Sequence, residues 1–444
     1  MRPPVGEFLA DLEAWVRIPS VSAVAGHAPD VARSARWLAA YLEEMGCPEV
    51  EEWPTGGGTA VYARWPRPHP DAPTVLVYSH HDVREVRPDH WRETPPFDPV
   101  VRRGRVYGRG ASDAKGQVLC HLWALRTLLA AGDLPVGVTL LVEGEEEIGS
   151  PHLTGLLAEH GDRLAADLVI LSDTLLWSAG QPAVCTGVRG LVGLTLEIRG
   201  PAVDVHAGVA SGAAPNPLRE LCRLLGGLVD GDGRITVPDF YDAVAETPPE
   251  LAFFPFDPGD WLARTRTSFI GGEKGRSVPE RLWTRPAVEI EQVLGGTGVT
   301  SSRGVIPSAA SASLVFHIVQ GQNSGKAAAQ IRQWVSEQVT DGYEYTLTFA
   351  DTLSEPYVTP PGHPAVAALE RAMSRAWGRP AGRMRNGGGA PADLLARRLD
   401  SPVVFFGTGL PEDRWHDADE SADVGVLLKG VQTLVHLLGE ELTA

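Results

Sequence analysis

Seven acidic and histidine positions carry the chemistry of this chain. His80 and Asp82 stand in SHHDV, Asp113 in GRGASDAKG, Glu146 and Glu147 in EGEEEIGS, Asp173 in ILSD and His416 in RWHDADES. Neutral imidazoles and carboxylates are zinc ligands, and one carboxylate can bridge two ions. The intervals are too wide for a local finger, so a folded domain must assemble the set. Adjacent carboxylates can divide the work, one holding metal while the other accepts a proton from the attacking water. On an extended strand end, residues i and i+2 share a side, which lets Asp82 support the imidazole of His80. Taken singly, each has an ordinary structural explanation. Asp113 could cap a helix, EGEEEIGS could be a solvated acidic turn, and Lys115 reads as a surface charge. His121 and His152 read as structural or surface residues. The ordered set points to metal-assisted hydrolysis.

The elements that must position these side chains are visible as apolar, β-branched runs. TVLVYSH (74–80), VTLLVEG (138–144) and DLVILSD (167–173) each end in polar residues of those motifs. Between the first two, 115–132 has helical apolar spacing and stops at Gly132. Alternating strands and helices imply an α/β fold, with a mostly parallel sheet covered by helices on both faces. In such sheets sites form beyond the carboxyl ends of the strands. Near Gly187 the pattern changes. The strand 191–200 alternates as if half-solvated, a helix spans 216–228, and a stretch with little periodicity fills 238–285. Strands at 311–319 and 343–350 flank a helix at 325–338. This is an α+β module inserted into the first domain. The helix–strand–helix pattern then resumes with HPAVAALERAMSRAWG, SPVVFFGTG and ADVGVLLKGVQTLVHLLGEEL, so the first domain is discontinuous. The expected division is 1–186 with 351–444 for the catalytic part and 187–350 for the insertion.

Size and composition bound the rest. The 444 residues exceed one ordinary core. With 43% hydrophobic residues and a mean hydropathy of -0.08, the chain is globular rather than disordered. A formal charge of -17 with no basic tract argues against a nucleic-acid partner. Bound divalent ions would neutralise part of that excess. Cys47, Cys120, Cys185 and Cys222 form no C-x-x-C pair and read as reduced thiols. No stretch reaches the ~18 apolar residues of a membrane helix, and the first residues read as an amphipathic helix. The expectation is a cytoplasmic protein with no membrane partner.

The motifs together resemble the co-catalytic dinuclear zinc peptidases related to carnosinase, bacterial dipeptidases and aminoacylase. YSHHDV, WRETPPFDP, VYGRGASDAKG, EGEEEIGS, SDT, VHAGVASG, GVIP, RNGGGAP and WHDADE follow in the order of that family. The resemblance implies a zinc-peptidase-like fold with an inserted lid and dimerisation domain, and two Zn²⁺, with Mn²⁺ or Co²⁺ as alternatives. His80 and Asp173 would hold one ion, Glu147 and His416 the other. Asp113 would bridge them, ahead of a cis peptide bond to Ala114. Glu146 would be the general base, and Asp82 would orient His80. His206 would stabilise the oxyanion in a neighbouring subunit, which implies a homodimer. Arg385, His317, Gly304, Gly388 and Gly389 would line the substrate end, with Gly387 beside them.

Departures from the family pattern bear on specificity. Arg303-Gly304 stands where Lys-Thr is usual, His317 where an arginine is usual, Gly389 where a serine is usual, and Asn386 replaces an acidic residue. In dipeptide-cleaving relatives the threonine, arginine and serine hold the substrate's terminal carboxylate. The expected activity is hydrolysis of a peptide or amide bond in a small peptide or N-acyl substrate, with an altered carboxylate clamp. An N-acyl amino acid deacylase or biosynthetic amidase is the alternative. A non-catalytic metal-binding scaffold is a third reading, against which the intact Glu146 argues. At Gly304 and Gly389 the lost side chains are expected to vacate volume, and His317 to be partly charged near neutral pH.

Overall fold

The three apolar runs form the strands Thr74–His80, Gly137–Glu143 and Leu168–Ser172 of a computed structural model describing residues 4–252, 254–295, 304–351 and 353–443. They are buried almost throughout. Strands covered on both faces read as continuous apolar runs rather than alternations. In the sheet the order is Glu49–Pro54, Thr59–Trp65, Gly137–Glu143, Thr74–His80, Leu168–Ser172, Val403–Phe406. The last four strands run parallel: Val77 lies opposite Leu140 and Ile170, and Val404 opposite Ile170. The first two are antiparallel additions at one edge. Parallel pairing brings carboxyl ends to one edge, where His80 lies opposite Glu143. The turns carrying Asp82, Glu146, Glu147 and Asp173 leave from that edge.

Helices cover the sheet because their apolar stripes match it. On one face Val5–Val16, Lys115–Ala131, Pro364–Trp377 and Val424–His436 contribute Phe8, Leu122, Leu125, Leu369, Val431 and Leu434 to a core shared with Val75, Leu140 and Ile170. Each such fully buried side chain contributes about 1.5–3 kcal/mol relative to exposure. Leu153–Leu164 and Ala392–Leu399 pack against each other, and the latter against Leu168–Ser172. No helix among the described residues is long and apolar enough to cross a membrane.

The chain divides into two compact units, residues 1–187 with 358–386 and 392–444, and residues 188–357 with 387–391. The sequence expectation had placed 351–357 and 387–391 in the first part. Hydrogen bonds explain the difference. Leu191 N–H donates to Ser354 O, and Arg189 N–H donates to Gly388 O, tying both segments to the strand that opens the second unit.

The second unit carries the sheet Ala287–Gly295, Ala309–Ile318, Gly190–Arg199, Glu344–Phe349, antiparallel throughout. Val192, Leu194, Leu196 and Ile198 alternate into a core with Leu314 and Phe316, closed by Leu221, Leu224, Ile331 and Trp334 of the helices Pro217–Gly227 and Ser324–Gln338. Half-solvated strands give that clean alternation. The strand Ala287–Gly295 was not evident from the sequence. It lies at the sheet edge and is exposed along most of its length, so neighbouring backbone rather than apolar periodicity defines it.

Candidate metal centre

In the first unit the strand ends bring the predicted set together. His80 is fully buried at the end of its strand. Its Nε2 lies 3.2 Å from Asp113 Oδ1 and 3.8 Å from Asp173 Oδ1. The other oxygen of Asp113 lies 3.1 Å from His416 Nε2, which is also 3.3 Å from Glu147 Oε2. Two donor sets result, His80–Asp113–Asp173 and Asp113–Glu147–His416, with the Asp113 carboxylate common to both. The Asp113–Ala114 peptide is cis.

These contacts have the character of ligands rather than of hydrogen bonds. His80 Nε2, both carboxylate oxygens of Glu147 and Asp173 Oδ1 are buried without a hydrogen-bond partner. Such orphaned polar atoms cost free energy unless something satisfies them. Two ligands on one tetrahedral zinc lie roughly 3.3 Å apart, given metal–ligand distances of about 2.0–2.1 Å. The separations at Asp113 fit that value, and the imidazole and carboxylate donors fit a divalent cation.

The electrostatics agree. Burial opposes charging of His80, but Asp113, Asp173 and Asp82 outweigh it and hold the imidazole well above its ordinary range. Asp113 and Glu147 push His416 up to about 10. Burial opposes ionisation of Asp113, yet His416 and His80 hold it below the usual carboxylate range. Without cations, protons on the two imidazoles balance the carboxylates. A divalent ion would displace them. Burial raises Glu146 well above the ordinary carboxylate value, with Asp173, Glu147 and Asp82 adding to the effect. A general base needs a value near the working pH, and burial moves Glu146 in that direction.

Asp82 has a broader task than the expected one. His80 Nδ1 donates to the backbone carbonyl of Asp82 at 3.0 Å, with the carboxylate at 3.4 Å. That carboxylate also accepts the backbone N–H groups of Glu146 and Glu147 at 3.2 and 3.1 Å. Asp82 thus fixes the acidic turn Glu146–Ile148 against the His80 strand end. Glu145, the acid just before Glu146, pairs instead with His152 at 2.8 Å.

The sequence reading missed the groups that hold Asp113 and His416 in place. Fully buried Glu420 accepts the backbone N–H groups of Gly110, Ser112 and Asp113. It also pairs with buried Arg109 at 2.7 Å. Asp413 accepts from Ser112 Oγ at 2.6 Å and pairs with Arg105, while Trp415 Nε1 donates to Ser112 Oγ at 2.7 Å. The two loops therefore grip each other, and the left-handed backbone at Arg414, His416 and Asp419 is part of that fit. WHDADES carries Glu420 four residues after His416, but nothing in the sequence alone pairs it with GRGAS. Lys115 is not a surface charge. It is fully buried, its Nζ donates to the carbonyls of Trp15 and Ile18 at 3.1 and 2.7 Å, and burial draws it down to about 7.

The remaining predicted residues divide between the units. Arg385 is buried on the strand Gly382–Asn386 of the first unit. In the second unit His317 and the glycine run meet at Arg189, whose Nε donates to Gly387 O at 2.7 Å. Burial, then the Arg189 charge, holds His317 down at about 3, so it is neutral rather than partly charged. Gly389 does not vacate volume either. A Cβ there would stand 2.7 Å from Leu191 Cδ1, so Leu191 already fills the space. At Gly304 the space is open, and its φ of +63° suits glycine. Arg303 lies outside the described residues. His206 is exposed, pairs with Val305 in a two-residue ladder and accepts the N–H of Gly208.

Comparison with known proteins accords with this geometry. The sequence model of peptidase family M20/M25/M40 matches residues 76–440. A Cys-Gly metallodipeptidase of Schizosaccharomyces pombe is 27% identical over 458 residues, covering 97% of this chain and 95% of its own. A cysteinylglycine-S-conjugate dipeptidase of Corynebacterium striatum is 28% identical, covering 89% and 87%. The crystal structure of human carnosine dipeptidase 1 superposes with a TM-score of 0.86 at 25% identity, covering 99% of this chain and 97% of that one.

The clamp around Glu420 yields a test. Glu420→Gln should leave Arg109 without its buried counter-charge, at a cost of about 3–5 kcal/mol in unfolding free energy. Denaturant unfolding in the presence of a chelator measures this without contribution from metal. An unchanged midpoint would show that the two loops are held by other contacts.

Proposed function

The chain belongs to peptidase family M20/M25/M40 and is a metal-dependent hydrolase of peptide bonds, and we propose that it works with a pair of zinc ions on a dipeptide or similar small peptide. The observation that carries this is the pair of donor sets sharing Asp113, with Glu146 adjoining Glu147 in one turn. His80, Asp113 and Asp173 would hold one ion, and Asp113, Glu147 and His416 the other. Manganese or cobalt would suit the same oxygen and nitrogen donors.

When bound, the ions supply Lewis acidity for the scissile carbonyl and lower the pKa of a water. Glu146 takes a proton from that water as its oxygen attacks the carbonyl carbon, then delivers the proton to the departing amine nitrogen. Asp82 keeps Glu146 in place through its backbone N–H and keeps the His80 ring oriented. His206 is assigned to oxyanion stabilisation from a partner copy, and a homodimer follows from that assignment. Its surroundings support it, since Val203 and Val209 on either side are 68% and 83% exposed. Apolar side chains left open in this way suit an interface. A cytoplasmic location is supported by four unpaired cysteines.

Dipeptide cleavage is proposed by extension from the named relatives. Arg385, His317, Gly304, Gly388 and Gly389 are the assigned substrate-end residues. A deacylase or biosynthetic amidase is the second reading, favoured by His317, which stands where the family resemblance implies an arginine and which burial and the Arg189 charge keep from protonating. A neutral imidazole offers no ionic contact to a terminal carboxylate.

Glu146→Gln should retain metal and lose about 10²–10⁴-fold in kcat. Near-wild-type turnover at full metal content would transfer the base role elsewhere. For specificity, kcat/KM of a hydrolysed dipeptide should exceed that of its C-terminal amide by well under a thousandfold. A thousandfold preference, about 4 kcal/mol, would show that a complete carboxylate clamp exists.

A further inference from the structure

The proposed mechanism leaves unexplained why a lysine lies buried two residues after the shared carboxylate. Lys115 Nζ donates to Trp15 O and Ile18 O, at and just beyond the end of the helix Val5–Val16. Both carbonyls also accept a backbone N–H, from Ile18 and Ser20 respectively, so the ammonium adds a second donor to each and caps the helix end together with the turn that follows it. Both bonds require only N–H donors, which either protonation state supplies. The chain leaving that cap runs to the His80 turn. Ser20 Oγ donates to His81 O at 2.7 Å, and Val83 N–H donates to Ser20 O at 2.9 Å. Ser20 therefore holds the backbone on both sides of Asp82. Val21 and Val83 form an isolated parallel bridge. Trp15 adds a second tie, its Nε1 donating to Ser34 Oγ at 2.9 Å, and that hydroxyl lies 3.5 Å from His81 O. Ser20, Ser34, His81 and Asp82 are all fully buried, where each lost hydrogen bond leaves a polar atom unsatisfied.

We propose that Lys115 and the segment Trp15–Val21 form a strut that sets the positions of His80 and Asp82, so that Lys115 and Ser20 are positioning residues for one ion of the pair. The helix preceding the sheet thereby becomes part of the metal apparatus, though none of its residues is a ligand. The strut grips the turn after His80, so it acts on the His80–Asp113–Asp173 set. The strut reaches Glu147 only indirectly, through the backbone N–H that Asp82 accepts, and Glu147 and His416 are also held by Arg84 and the Glu420 clamp. This rests on the two-ion reading above.

The test is zinc affinity in the full-length protein, measured by competition with a chromophoric chelator, for Ser20→Ala, Lys115→Met and the double variant. Asp173→Ala and His416→Ala identify which ion is which, and melting of the metal-free proteins monitors folding. Each strut variant should weaken the ion lost in Asp173→Ala by about 10–100-fold, and the other ion, reached only through Asp82, by a clearly smaller factor. The double variant should resemble the more affected single one, because both residues act through one strut. Ser20→Ala keeps the question open to measurement even if Lys115→Met folds poorly. Equal weakening of both ions, or no shift beyond twofold in either, would overturn the strut. A wild-type protein binding fewer than two zinc ions would instead remove the two-ion reading, and the strut's role with it.

Discussion

A buried carboxylate facing two imidazoles is the interaction on which the rest of the first unit depends. Asp113 meets His80 with one oxygen and His416 with the other, while Asp173 and Glu147 crowd the same space. Two carboxylates about 4 Å apart repel by roughly 4 kcal/mol at an effective dielectric of 20. Several brought together in one buried site could not stay ionised without positive charge among them. The site is therefore built as a cation receptor, and its acids and histidines are bound to a common electrostatic balance. Glu146 is affected by the same balance without belonging to either donor set.

That requirement explains features of the fold that packing alone does not. Parallel strands bring His80 and Glu143 level at one edge. Asp82 then links the turns leaving those strands, and Glu420 links the loop carrying Asp113 to the loop carrying His416. Buried charges that hold loops together need partners, a carboxylate for Arg109 and backbone carbonyls for Lys115. In the second unit Arg189 has a comparable task. It holds Gly387 and Gly388 through its side chain and its backbone, and its charge adds to the burial that keeps His317 neutral.

Much of this was legible in the sequence because it depends on local pattern. Strands buried on both faces leave unbroken apolar runs, and the acidic and histidine motifs that follow them mark the residues that the structure brings together. The helix Lys115–Ala131 stops at Gly132, whose φ is +68°, as a glycine after a helical pattern suggests. What escaped was pairing over long separations. Glu420 with Arg109, Asp413 with Arg105, and Lys115 with Trp15 and Ile18 each join residues about a hundred or more positions apart. No periodicity encodes such partners. The volume at Gly389 was misjudged for the same reason, since Leu191 occupies it from the strand Gly190–Arg199, far away in sequence. The passage of 387–391 to the second unit follows from backbone hydrogen bonds that composition does not reveal.

The most direct measurement is metal content and stoichiometry for Asp113→Ala beside Asp173→Ala and His416→Ala. If one carboxylate serves both ions, the Asp113 variant should lose both, while each of the others retains about one. An Asp113→Ala protein that keeps either ion at wild-type affinity would contradict a shared carboxylate at the centre of this site.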